Sequence, residues 1–277
     1  MERRSRSTWW LVTIIILIGL TSRPGAHDFW LEPSSFETRV GDPVRVHLRV
    51  GERFFGEPVV RNESRIERFI LAGPGGDRPV IGRDGMDPAG LLRLDAPGIW
   101  FVGYSSKPSP VQLTAPAFDR YLREEGLERI IDDRAARKES QVPGREQFSR
   151  SVKALLRAGA VAGADGYDRI LGLPLEFVLE SDPLTSPGNR VPMRLLFDGR
   201  PLSEALVVAY RKRSKAASEG TLAFRGRTDA DGRVVLPVVR GQWLVKAVHM
   251  ERAAPDAEAD WSSVWTALTF EVPGATQ

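Results

Sequence analysis

The chain has 277 residues, 42% of them hydrophobic, with 39 Lys and Arg against 36 Asp and Glu and no cysteine. Without cysteine, neither disulfides nor thiolate metal centres are available. The small positive excess belongs to the first 26 residues: removing them takes away four Arg and one Glu and leaves 35 charges of each sign, a balance that speaks against the concentrated basic face nucleic acid requires.

Those first residues have the order of a secretory signal. Arg3, Arg4 and Arg6 form a positive start, Trp9 to Leu20 is an uncharged apolar run, and Arg23-Pro24-Gly25-Ala26 ends it with small residues. A membrane-spanning helix needs about 20 apolar residues, so the run is short for an anchor and cleavage after Ala26 is expected. Contact with a membrane is expected only if the signal stays uncleaved. The protein is expected to be periplasmic or otherwise secreted.

From residue 27 to 115 the pattern is that of strands. Val44 to Val50 (VRVHLRV) alternates apolar and polar residues with the period of two of a half-buried strand. Ile66 to Ala72, Val80-Ile81, Gly90 to Asp95 and Ile99 to Tyr104 follow, separated by Gly and Pro clusters. Residues 116–170 are expected to be a helical insert, with helices over Phe118 to Gly126, Leu127 to Glu139 and Arg145 to Ala158. The last of these places Phe148, Val152, Leu155 and Leu156 at helical spacing. Residues 171–275 return to strands: Leu175 to Leu179, Val191 to Phe197, Ala205 to Arg211, Arg233 to Val239, Trp243 to Met250 and Trp261 to Val272. Asp198-Gly199 between two such runs is a hairpin signal. The fold class is therefore mainly β, with two β-sandwich domains of immunoglobulin-like or transthyretin-like type and a helical insert between them.

The chain has three histidines. Cleavage after Ala26 makes His27 the first residue, whose free amine and nearer imidazole nitrogen chelate a metal in one small ring. The amine has an ordinary pKa of about 7.7–8.0, so a metal displaces its proton cheaply. Three bulky apolar residues, Phe29, Trp30 and Leu31, follow and should dock this terminus on the core. His249 lies at the end of an apolar strand and is the expected second ligand, with Asp28 a more distant one; the alternative for His249 is a packed core residue. A nitrogen-rich site of this kind suits Ni, Co or Cu, and copper by raw affinity. His47 sits between Arg45 and Arg49, which disfavours a cation, and reads as an exposed strand residue. Asp229 and Asp231 are expected in a turn, since the full calcium-loop pattern is missing. Trp261 and Trp265 share one strand face; packing under the insert is the default for them, and a platform for a protein or glycan the alternative. No nucleophile, base and oxyanion hole occur together, no organic cofactor motif is present, and no enzyme is expected.

The opening HDFWLEP, with VGERFFGEPV, YLREEGLERI, PGREQFSRSVKALL, LGLPLEFV, DGRPLSEALVVAY, TDADGR, GQWLVKAVHM and DWSSVWTALTFEV, resembles a bacterial exported family of unknown function associated with nickel and cobalt uptake. The likeness runs over roughly residues 27–272. It implies an extracytoplasmic accessory role in metal handling, with a membrane metal transporter as a partner, and it carries His27 and His249 as the positions of interest. The C-terminal third resembles transthyretin-like or collagen-binding-repeat sandwiches, which implies fold only.

Overall fold

The computed structural model describes residues 27–159, 165–214 and 217–273. The signal expected over residues 1–26 lies outside the described residues. Among the described residues, three sheets carry the fold. A ten-stranded central sheet runs in the order Thr221–Arg227, Leu206–Lys212, Gly241–Arg252, Trp261–Val272, Gly144–Ala158, Gly98–Ser106, Ile66–Gly73, Gly76–Pro79, with Glu37–Thr38 and Ser109–Leu113 pairing along the Gly144–Ala158 strand. An N-terminal sheet holds Asp28–Pro33, Pro43–Glu52, Phe55–Val59 and Gly90–Arg93, and a C-terminal sheet holds Leu175–Leu179, Arg190–Phe197, Arg200–Pro201 and Arg233–Pro237.

Alternation along the central strands decides which layer each side chain meets. In Gly144–Ala158, Val152, Ala154 and Leu156 join the core under the N-terminal sheet, whereas Leu155 joins the core under the C-terminal sheet. In Gly241–Arg252, Leu244 faces the first of these cores, and Trp243, Val245 and Ala247 face the second. Two sandwich cores thus lie on opposite faces of one shared sheet. The mainly β, sandwich-like class is as expected from the sequence.

The helical insert is smaller than expected. Helix α1 (Ala115–Glu124) and helix α2 (Glu128–Ala136) are its helices. α1 starts three residues earlier than the pattern suggested because Pro116 is accommodated in a first turn, where its missing N–H costs nothing. Ala115, Phe118, Tyr121 and Leu122 form its buried face, and the last three pack with Ile130, Val248, Met250, Trp261 and Trp265.

Arg145 to Ala158, expected to be helical, is instead the strand Gly144–Ala158, paired in parallel with Trp261–Val272 and antiparallel with Ser109–Leu113 and Gly98–Ser106. Helix-forming residues such as Lys, Ala, Leu and Arg set only a weak preference, of at most about 0.7 kcal/mol each, which burial in a sheet overrides. The helical spacing arose because every position from Ser151 to Ala158 is buried, leaving no alternation to read. Two of these buried positions are cationic, and each meets a carboxylate of the C-terminal layer: Lys153 Nζ lies 2.8 Å from Glu176 Oε1, and Arg157 Nη2 lies 2.5 Å from Asp182 Oδ1.

Both turn expectations hold in detail. Asp198 and Gly199 have φ of 47° and 74°, the left-handed region that a tight two-residue hairpin turn needs. Asp229 accepts hydrogen bonds from the backbone N–H groups of Asp231 and Arg233 at 2.9 and 2.8 Å, so its carboxylate serves the turn.

Candidate functional site

The first described strand, Asp28–Pro33, pairs antiparallel with Pro43–Glu52 in a register that sets Asp28 opposite Gly51. One step further out, His27 stands beside Glu52, with Nδ1 3.5 Å from Oε1 of that carboxylate. Nδ1 is sheltered from solvent and makes no hydrogen bond among the described residues, although the side chain as a whole is 37% exposed. The backbone here is fixed. Arg150 donates from Nη1 to the His27 carbonyl at 3.1 Å and lies over the rings of Phe29 and Phe148. Phe29, Trp30 and Leu31 are buried in the core, as the run of apolar residues implied.

Beneath His27 runs a charged seam between the central sheet, the first strand and the helices. Lys246 Nζ donates to Asp28 Oδ1 at 2.5 Å and to Glu125 Oε1 at 2.9 Å. Burial raises the pKa of both carboxylates, and one shared ammonium compensates neither fully. At Lys246 burial acts downward, but the two carboxylates outweigh it and raise the pKa. Burial also lowers Arg150 to about 10, partly opposed by Asp28. Further along, Glu146 accepts from the Tyr121 hydroxyl at 3.0 Å and from Ser263, and burial raises its pKa as well.

The residues expected to act together do not all meet. Lys246, which touches Asp28, and Val248 project from one face of the Gly241–Arg252 strand, and His249 projects from the other. There its ring packs on Phe197, with centroids 4.2 Å apart, and its Nε2 lies 3.8 Å from Glu251. Burial lowers its pKa, partly opposed by Glu251. His27 and His249 therefore lie across the central sheet from each other, and the expected pairing of the two as ligands is not assembled. Asp28 is committed to Lys246 inside the core, so it is not poised as a ligand either. Among the described residues, no group of three or more His, Cys, Asp and Glu is arranged to hold a metal ion; a site at His27 must draw on its main-chain nitrogen.

His47 is less exposed than expected: Nδ1 lies 2.7 Å from Asp87 Oδ1, and that carboxylate also stands near Arg49. Trp261 and Trp265 are 1% and 8% exposed. Trp265 stacks on Tyr121 at 5.5 Å, and Trp261 packs beside Phe118 with the Arg252 guanidinium 4.1 Å above its ring. They hold the helices to the sheet and offer no open platform.

The seam is all but invisible in the sequence. Its one legible mark was Lys246, a charge in the middle of the apolar run WLVKAVHM. Arg150 lies within the stretch whose spacing suggested a helix, and Glu125, beside Glu124 in a charged stretch, carries no local sign of burial.

A family model described as "Domain of unknown function (DUF4198)" matches residues 25–251. No curated protein matches the chain. Among solved structures, the chain is similar to the "D0-D1 domain of Intimin", with 11% identity over 88% of this chain and 98% of that one and a TM-score of 0.19. At that score the likeness supports no argument, and the sandwich class rests on the sheets described above.

Proposed function

As the chain belongs to the DUF4198 family, a family of unknown function, we propose from its own N-terminal strand that it is an extracytoplasmic metal-binding accessory protein. The ion is held by the His27 amine and Nδ1, with Glu52 as third ligand. The observation that carries this reading is the sheltered Nδ1, without a hydrogen bond, facing a carboxylate oxygen at 3.5 Å. Two donors bound at about 2.0–2.2 Å to one ion lie up to about 4 Å apart, so a single cation fits between them. The pinned His27 carbonyl and the strand register fix the chelate before the ion arrives, which lowers the ordering cost of binding.

Amine, imidazole and carboxylate are donors for late first-row divalent ions, and affinity rises from cobalt through nickel to copper. The resemblance to exported proteins associated with nickel and cobalt uptake favours delivery to a membrane metal transporter as the role. Among the described residues no helix is long and apolar enough to cross a membrane. His249 and Asp28 have no part in the site, and the buried Trp261 and Trp265 lend no support to a glycan- or protein-binding platform.

The test is calorimetric titration of the secreted protein with Cu(II), Ni(II) and Co(II). One ion binds per chain, His27→Ala abolishes binding, and Glu52→Gln weakens it at least about tenfold. Undiminished binding in His27→Ala contradicts the reading.

A further inference from the structure

The C-terminal sandwich is open at one end. There a cleft of about 290 Å³ lies between the Leu206–Lys212 and Thr221–Arg227 strands of the central sheet and the end of the C-terminal sheet's Arg233–Pro237 strand. Its floor is Trp243, a core residue whose indole N–H donates to the Val239 carbonyl at 2.9 Å. Leu222, Ala223, Pro237 and Val239 make apolar walls, and Arg211 and Arg213 form the rim.

Arg211 is the unusual member. Val207 and Ala209 point into the C-terminal core, and alternation sends Arg211 the same way, directly opposite Trp243 in the register. Like Lys153 and Arg157, it points from the central sheet towards the C-terminal layer. Lys153 and Arg157 each have a buried carboxylate, Glu176 and Asp182. Arg211 is half-buried and has no side-chain hydrogen bond or ion pair among the described residues, and neither has Arg213. Among the described residues, no carboxylate lines the cleft. A guanidinium aimed inward without a counter-ion is costly unless an anion supplies one.

We propose that this cleft is a binding site for a small organic anion with an apolar body. The head group, a carboxylate or sulfonate, pairs with Arg211 at the rim, and the apolar part lies on Trp243 between Leu222 and Val239. The volume is at the low end for small-molecule sites, about 300–1,000 Å³, and suits a medium-length chain or one aromatic unit. The proposal is independent of the metal site, which lies on the other face of the central sheet.

The probes are decanoate, its neutral counterpart decanol, and the fluorescent sulfonate 8-anilinonaphthalene-1-sulfonate, titrated against the full secreted protein. Decanoate is expected to bind one per chain and to displace the dye, with decanol at least about tenfold weaker. Arg211→Met should lose at least about tenfold in decanoate affinity, while Arg211→Lys, which keeps the charge, retains most of it. His27→Ala should leave decanoate binding unchanged. The proposal is overturned if decanoate does not bind, if decanol binds equally well, or if a folded Arg211→Met binds like the parent protein. Phosphatidylglycerol vesicles separate a free ligand from a membrane surface. The protein should not co-sediment with them, and co-sedimentation abolished by Arg211→Met would replace the soluble anion with a lipid surface.

Discussion

Lys246 is the cation that lets two carboxylates enter the core, and Lys246→Met is the sharpest perturbation of the fold. The ammonium lies 2.5 Å from Asp28 and 2.9 Å from Glu125, and all three side chains are largely buried. Methionine keeps the length and apolar stem but leaves both carboxylates without a partner. Removing one member of a buried ion pair costs about 3–5 kcal/mol, mostly as the penalty on the charge left behind. With an m-value of about 2–3 kcal/mol/M, a loss near 4 kcal/mol lowers the urea midpoint by roughly 1.3–2 M. The sign of the pH dependence follows from linkage. Asp28 and Glu125 already have folded-state pKa values above their ordinary ones, because of burial, and losing Lys246 raises them further. A carboxylate raised in the folded state binds its proton more tightly there, so stability is gained as pH falls through the raised value and lost as pH rises. The variant should therefore be most destabilised at pH 7 and recover part of the loss at pH 5. Adding Asp28→Asn and Glu125→Gln should restore stability at pH 7, since neutral groups carry no stranded charge. Urea unfolding followed by circular dichroism at the two pH values reads all of this. A loss below about 1 kcal/mol at pH 7, or one that grows on acidification, would refute the argument.

Two further substitutions test the placement of single residues. His249→Ala should leave metal affinity unchanged while removing the packing on Phe197, and thermal melting should show a loss of about 1–3 kcal/mol; a large drop in metal affinity would return His249 to the site. Gly73→Ala would put a Cβ 2.0 Å from the Trp100 ring, an overlap that the buried indole cannot relieve by small shifts. Overpacking of this kind costs about 1–3 kcal/mol or more, and an unchanged melting temperature would show that the contact is softer than it looks.

The strands were legible wherever one face is wet, as in Val44 to Val50, because alternation survives there. It fails in Gly144–Ala158, where both faces are covered and Lys153 and Arg157 are buried with Glu176 and Asp182. No local pattern distinguishes such a strand from a charged helix, since the carboxylates that make it possible arrive from about 25 residues further along the chain. The same non-locality hid the separation of His27 from His249. Strand parity placed His249 among apolar residues, but only the layer order shows that the N-terminal strand lies across the sheet. His27 itself was legible from its position after Ala26. Glu52 was not, because its meeting with His27 is set by the pairing of Asp28–Pro33 with Pro43–Glu52.

The most direct test of the metal reading compares a chain that begins at His27 with the same chain acetylated on its N-terminal nitrogen. Both keep the imidazole and Glu52, and only the first has a free amine on the histidine. Cu(II) titration followed by electron paramagnetic resonance should show two nitrogen donors in the free-amine chain, with at least about a hundredfold loss of affinity in the acetylated one. Equal affinity and identical spectra from the two chains would contradict an amine–imidazole chelate at His27.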